Sequence, residues 1–278
     1  MTDTDVIYAS RYSENGHWYD EAGRQIEGVP YADKKRAGEF RKPTLTDAKK
    51  HQWCSGVTTI CGMADKPDLL NWKVTKAIEI GARFPRGHSE DEGSWMQRCR
   101  DELDKLSKSD EGTAIHASVQ RYLGGDIPAS EHAAHVAGVQ RALDSIGLHE
   151  WQSEVPCISR FGYGTKADLV APGWLLDIKT KEGNEAKLQS LKPYEGYVMQ
   201  LAATSRALPM NAEITVRRYG ILFVSRDVPG DCVLREVPVE AVLQGWKQFL
   251  CLLSFYRLRA GYVPAWATLD PVTELARL

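Results

Sequence analysis

The sequence predicts a mixed α/β domain, on three observations. Apolar residues recur at helical spacing between 67 and 147, strand-like runs fill 154–180, and helical spacing returns after 193. Helices, a compact sheet, then helices again imply a sheet with helical layers packed on it. There is no internal repeat and no low-complexity tract.

Residues 1–50 are polar, punctuated by Gly, Asn and Asp, and the stretch 33–42 (DKKRAGEFRK) is basic. They read as a solvated, partly ordered arm, or as a flap whose Lys and Arg meet phosphates. The folded domain is expected over 51–278. A short β-branched run follows Trp53, and Pro67 suits the first turn of a helix with Leu70, Val74, Ala77 and Ile78 on its apolar side. An acidic helix is expected over roughly 90–108. The next helix carries the stripe Ile115, Val119, Tyr122, Leu123 and stops at Gly124-Gly125; another runs over 131–147 and closes on Gly147. Three short strands follow at 154–159, 163–171 and 173–180. A helix over about 193–207 places Tyr197, Leu201 and Thr204 on one side. Strand, in one piece or two, fills 213–225, and a long helix spans roughly 238–260.

Composition narrows the function. The chain has 278 residues, 43% hydrophobic and 26% charged, enough for a sizeable core without disulfides. Lys and Arg number 35 against 37 Asp and Glu, so bulk positive charge is excluded as a way of holding nucleic acid. A local basic groove is not excluded. The six cysteines form no C-x-x-C pair, which argues against a zinc ribbon or an iron-sulfur cluster and for scattered reduced thiols. No apolar run approaches the ~20 residues of a membrane helix, and the acidic start lacks a signal-peptide pattern. A cytoplasmic protein with no membrane partner is expected.

The hairpin at 163–180 holds the chemistry. Ala171-Pro172-Gly173-Trp174 suits a type II turn, with Pro second and Gly third. If 171 and 174 close it, Leu169 faces Leu176 and Asp168 faces Asp177, with Cβ atoms ~5 Å apart. Two such carboxylates repel, and a divalent cation between them is the simplest compensation; hard oxygen donors suit Mg²⁺ or Mn²⁺. Lys179 falls on the same face as Asp177, placed to orient a water or to meet charge developing on a phosphate. The alternative is a solvated face on which Lys166 and Lys179 merely pair with the acids. Leu175, Leu176 and Ile178 argue against it, because they make Asp177 part of an apolar strand, and buried acids need partners.

The segment GYGTKADLVAPGWLLDIKTK, with Asp168, Asp177 and Lys179, resembles the PD-(D/E)XK nuclease superfamily. It is most similar to the RecB-type exonuclease branch, which includes phage exonucleases and the mitochondrial genome maintenance exonuclease. GTAIHASVQRYL (112–123) resembles that branch's upstream helix, SGVTTICGMADKPDLLNWK (55–73) its leading segment, and YEGYVMQLAA (194–203) the helix after the hairpin. The resemblance spans roughly 53–205. It implies a restriction-endonuclease-like core: a central mixed sheet flanked by helices. It implies His116 as a metal ligand with Asp168 and Asp177, the backbone carbonyl of Ile178 as a further one, and Gln200 at the attacking water, the metal or the substrate. Read from the residues alone, His116 on an apolar stripe is a core histidine and Gln200 a surface amide. Glu154 matches an acid often seen before the hairpin, and equally a plain strand-edge charge. Thr204 stands where the branch often has a tyrosine; Tyr197 and Tyr194 lie on the same helix.

The implied activity is Mg²⁺- or Mn²⁺-dependent hydrolysis of DNA, as an exonuclease on single strands or duplex ends, in recombination, repair or phage DNA metabolism. A recombination or single-strand-binding protein is the implied partner, and the host cytoplasm the place if a phage encodes the chain. The rivals are a structure-selective endonuclease of the same fold and a non-cleaving nucleic-acid-binding module. Lys181, Lys187, Lys192, Arg217 and Arg218 are candidates for a phosphate channel. Trp53, Trp72, Trp95 and Tyr163 could stack bases or pack in the core.

Overall fold

The computed structural model describes residues 6–8, 18–64, 67–107, 110–127, 129–208 and 215–278. Residues 1–5 and 9–17 of the expected arm, and 213–214 of the expected strand, lie outside them. The chain divides into two compact units: Met1–Met63 with Ile115–Leu278, and Ala64–Ala114.

The larger unit is an α/β structure with a large mixed open sheet. Its N-terminal strands are β1 (Ile7–Tyr8), β2 (Trp18–Tyr19), β3 (Gln25–Pro30) and β4 (Phe40–Arg41), followed by α1 (Leu45–His51), β5 (Cys54–Gly56) and α2 (Val57–Cys61). The described part of the expected arm is therefore folded into the sheet: β3 pairs with β1, β2 and β4, and β2 continues onto β5. Ile26, Val29, Ala48 and Trp53 form its own small core, and Tyr262 Oη donates to the carbonyls of Ala48 and Trp53, both at 3.0 Å. Charge in the basic stretch is partly spent locally. Arg41 forks onto Asp47 at 2.7 and 2.8 Å, and Asp47 also closes the capping box of α1 with Thr44.

The smaller unit holds α3 (Pro67–Arg83) and α4 (Glu92–Ser107). Pro67 opens α3 as expected, but the stripe Leu70, Val74, Ala77, Ile78 is exposed, Ile78 to 68%. Two helices cannot bury every apolar side. The inward line runs instead through Ile80 and Gly81, against the Trp95 ring, whose Nε1 donates to Phe84 O at 2.8 Å.

Next come α5 (Asp110–Leu123), α6 (Ala133–Asp144), β6 (Gln152–Ser159), β7 (Tyr163–Ala171), β8 (Gly173–Lys181), α7 (Glu185–Ser190), α8 (Glu195–Ala207), β9 (Val216–Ser225), β10 (Cys232–Val237), α9 (Val239–Ala260) and α10 (Pro271–Leu275). The strand order is β1-β3-β2-β5-β7-β8-β9-β10, with β4 on β3 and β6 on β7. β5 runs parallel to β7 and β8 parallel to β9; the other pairs are antiparallel. On one face, Ile115 and Val119 of α5 and Val136, Val139 and Leu143 of α6 pack on Leu169, Leu176, Ile178 and Leu222. Each such side chain contributes roughly 1.5–3 kcal/mol by burial. Elsewhere in the unit, Tyr163 sits edge-on to Phe249 at 4.9 Å, and its hydroxyl donates to Ala203 O. Tyr163 and Trp53 are therefore core residues, not base platforms. Among the described residues no helix is long and apolar enough to cross a membrane.

Candidate functional site

The hairpin turn forms as the sequence predicts. Gly173 holds φ +83°, which a side chain would oppose, and the pairs are Ala171–Trp174, Val170–Leu175 and Leu169–Leu176. Past Leu176 the ladder stops. Instead the Ile178 N–H donates to Asp168 Oδ2 at 2.8 Å, so a carboxylate takes the place of a backbone carbonyl. On this edge β7 is paired to β5 at 163–164 and to β8 at 169–171, leaving a gap in which Asp168 sits.

The opposite edge of β7 is interrupted at the same level. β6 pairs Ser153 with Leu169 and Val155 with Ala167, skipping Glu154, which is 2% exposed at φ +54°. A left-handed non-glycine residue costs roughly 1–3 kcal/mol, and such strain collects at functional sites. Glu154, Asp168 and Asp177 thus lie in one row across three adjacent strands.

Two lysines and a short relay serve this row. Lys179 Nζ lies 3.0 Å from Asp177 Oδ1 and 2.9 Å from Oδ2. Lys166 forms an ion pair with Glu154, whose other oxygen accepts from Gln120 Nε2. Gln120 Nε2 is also 3.2 Å from His116 Nε2, which stands 3.4 Å from Asp168 Oδ2. Ser153 Oγ donates to the Gln120 carbonyl at 3.0 Å, tying α5 to β6. One turn of α5 therefore connects the first acid of the row to the second.

Crowding sets the ionisation of the acids. Burial and the neighbouring Asp168 push Asp177 above the usual carboxylate range, against the pull of Lys179. Burial also opposes Asp168, but the His116 contact, the Lys179 charge and the Ile178 amide hold it below that range. Burial, then Asp168, raises Glu154 to about 7 although Lys166 is beside it. Burial alone would lower Lys179, yet Asp177 and Asp168 hold it well above its ordinary value, a firm ammonium.

The donor set suits a hard divalent cation in its chemistry: two carboxylates at 14% and 15% side-chain exposure, with an imidazole against one of them. Asp177 Oδ2 accepts no hydrogen bond of good geometry, which leaves it a lone pair to offer. Asp168 and Asp177 would hold the ion. Among the described residues no three His, Cys, Asp or Glu side chains stand at mutual metal-binding positions; His116 stands against Asp168.

The other candidates are dispersed. Gln200 is half-buried on α8, one turn past Tyr197. Lys181 Nζ donates to Tyr197 Oη at 2.7 Å. Lys187 is exposed within α7, and Lys192 exposed just beyond it. Arg217 is exposed, while Arg218 forks onto Glu236 at 2.8 and 2.7 Å and lies 4.1 Å over the Trp174 ring. Arg218 thus sits beside Trp174, roughly 17 Å along the strand from Lys179 at ~3.3 Å per residue. Thr204 is buried against Thr165.

Sequence reasoning missed Gln120; it had Lys166 pairing with the acids, which it does at Glu154, and Tyr197 on the helix beside Thr204, without placing either at the site. Gln120 was legible in principle, since it lies one helical turn from His116. Gly162 at φ +67° closes the Ser159–Tyr163 turn, and reading that turn would have set Glu154 opposite Asp168. No family model matches the chain, and comparison with curated proteins finds no relative.

Proposed function

We propose that the chain is a metal-dependent deoxyribonuclease built on a PD-(D/E)XK core, of the RecB-type phage exonuclease kind. One observation carries the reading: Glu154, Asp168 and Asp177 are aligned across three strands with Lys179 bonded to the last. A structural hairpin has no use for three crowded acids, whereas a phosphodiesterase needs concentrated negative charge beside one fixed ammonium. Bound Mg²⁺ or Mn²⁺ would make a coordinated water more acidic and would supply positive charge at the phosphate.

The chain's own groups divide the remaining work. Lys179, held at Asp177, presents a charge-assisted donor to a phosphate oxygen as charge builds there. Asp168 is fixed by the Ile178 amide and by His116, so its second oxygen keeps one direction. Burial of both acids strengthens every charge interaction in the notch. Linear DNA, as single strands or duplex ends, is the substrate, and a recombination or single-strand-binding protein is the partner.

The test is incubation with linear and circular DNA, single- and double-stranded, in Mg²⁺, Mn²⁺ or chelator. Cleavage of linear substrates only, abolished by chelator and by Asp177→Asn in a variant of unchanged circular dichroism, is expected. Cleavage that persists in chelator would overturn the reading. Cutting of closed circles would replace the exonuclease with an endonuclease of the same core.

A further inference from the structure

The face of β8 that carries Asp177 and Lys179 continues to Lys181, because alternate residues of a strand share a side. Against it stands Tyr197, in the first turn of α8. Its hydroxyl accepts from Lys181 Nζ at 2.7 Å, and its ring centroid is 5.2 Å from both Lys179 Nζ and Lys181 Nζ. One side chain therefore touches both ammonium groups by different means: its ring attracts Lys179, while Lys181 lies along the ring's edge and is fixed by the oxygen. The Tyr194 ring meets Tyr197 edge-on at 5.6 Å and limits its rotation.

We propose that Tyr197 is a positioning residue that sorts the two lysines into separate tasks on one phosphodiester strand. Its ring keeps Lys179 at Asp177, beside the phosphate that reacts. Its hydroxyl keeps Lys181 two residues further along β8, about 6.6 Å away at ~3.3 Å per residue, to anchor the next phosphate of the same strand. Without it, two flexible ammonium groups would compete for the same acids. The substrate class is thus a strand that presents at least two successive phosphates, not a nucleoside monophosphate ester. This rests on the nuclease reading above and deepens it.

Two variants separate ring from hydroxyl. Tyr197→Phe keeps the ring and frees Lys181: KM for a linear oligonucleotide rises about tenfold, kcat stays within about threefold, and Lys181→Gln reproduces the effect, with little further loss in the double variant. Tyr197→Leu removes the ring: kcat falls by about 10²-fold as well. A minimal one-phosphodiester substrate is cleaved poorly by the wild type, and Tyr197→Phe slows it little further. A purely structural tyrosine would instead lower Tm without splitting KM from kcat between the two variants, and that result would overturn the proposal.

A second readout needs no turnover. The ε-methylene NMR resonance of Lys179 is shifted upfield by the ring in the wild type, and returns to its ordinary position in Tyr197→Leu. An ordinary position in the wild type would refute the arrangement whether or not DNA is cut. A shifted resonance in a protein that cuts no DNA would fail the nuclease reading alone.

Discussion

The two ends of β8 each meet an ion pair, to opposite effect. At the turn end, Arg218 from β9 lies over Trp174 and pairs with Glu236 from β10, with roughly half of each charged side chain in water. One cation meets one anion, both hydrated, and neither is under strain. At the other end Asp177 and Lys179 are almost buried, beside Asp168, with Glu154 across β7 at a left-handed φ. Acids outnumber their local counter-ions there, and burial raises the stake of every charge. A hydrated ion pair needs no further partner; a crowded buried set of acids has a use for the cation that the proposed function brings.

Removing the ammonium from the crowded end tests that contrast most strongly. Lys179→Ala should lower the rate of DNA hydrolysis by about 10²–10³-fold, the scale of losing one preorganised donor to a developing negative charge. Steady-state cleavage of a labelled linear substrate measures it, and a loss under tenfold would remove Lys179 from the mechanism.

A smaller effect distinguishes the ends by pH. Glu154 has its acid range raised to about 7 in the fold, against an ordinary value of 4.5. The folded chain therefore holds this proton more tightly than the unfolded chain, and stability falls as pH rises across that window. The fall attributable to Glu154 is about 3 kcal/mol at most, for about 2.5 pH units. Urea unfolding in chelator should show the wild type losing stability relative to Glu154→Gln between pH 4.5 and 7.5. Parallel profiles would mean that Glu154 is not under electrostatic stress.

The least effect belongs to the turn end. Arg218→Ala should leave DNA cleavage unchanged and shift Tm by less than about 2 °C, because an exposed ion pair is screened and hydrated. A large loss of DNA affinity would return Arg218 to the phosphate channel and erase the distinction between the ends.

How far the sequence foretold these ends follows from the distances involved. The hairpin register was legible because a Pro-Gly turn fixes it locally, and Leu169–Leu176 pair as expected. Glu154 was ambiguous because its place depends on a second turn and on a left-handed backbone that Glu rarely takes. Val57–Cys61, β-branched and strand-like in isolation, forms α2 because tertiary contacts outweigh so short a propensity signal. β10 escaped notice because Arg235 and Glu236 break its apolar run, and its partner β9 lies across a loop. Residues 18–50 looked like an arm because β2 and β4 have two residues each, and the six of β3, QIEGVP, include a glycine and a proline and bury no alternating face. Nothing local to YEGYVMQ says that Tyr197 meets the lysines of β8; only the packing of α8 brings them together.

The Ile178 amide gives Asp168 a second duty. It stands in for a missing rung of the sheet, so its loss would strand a backbone donor inside the protein as well as strip the notch of an acid. On the proposed function, one carboxylate thus serves both the cleavage of DNA and the integrity of the sheet.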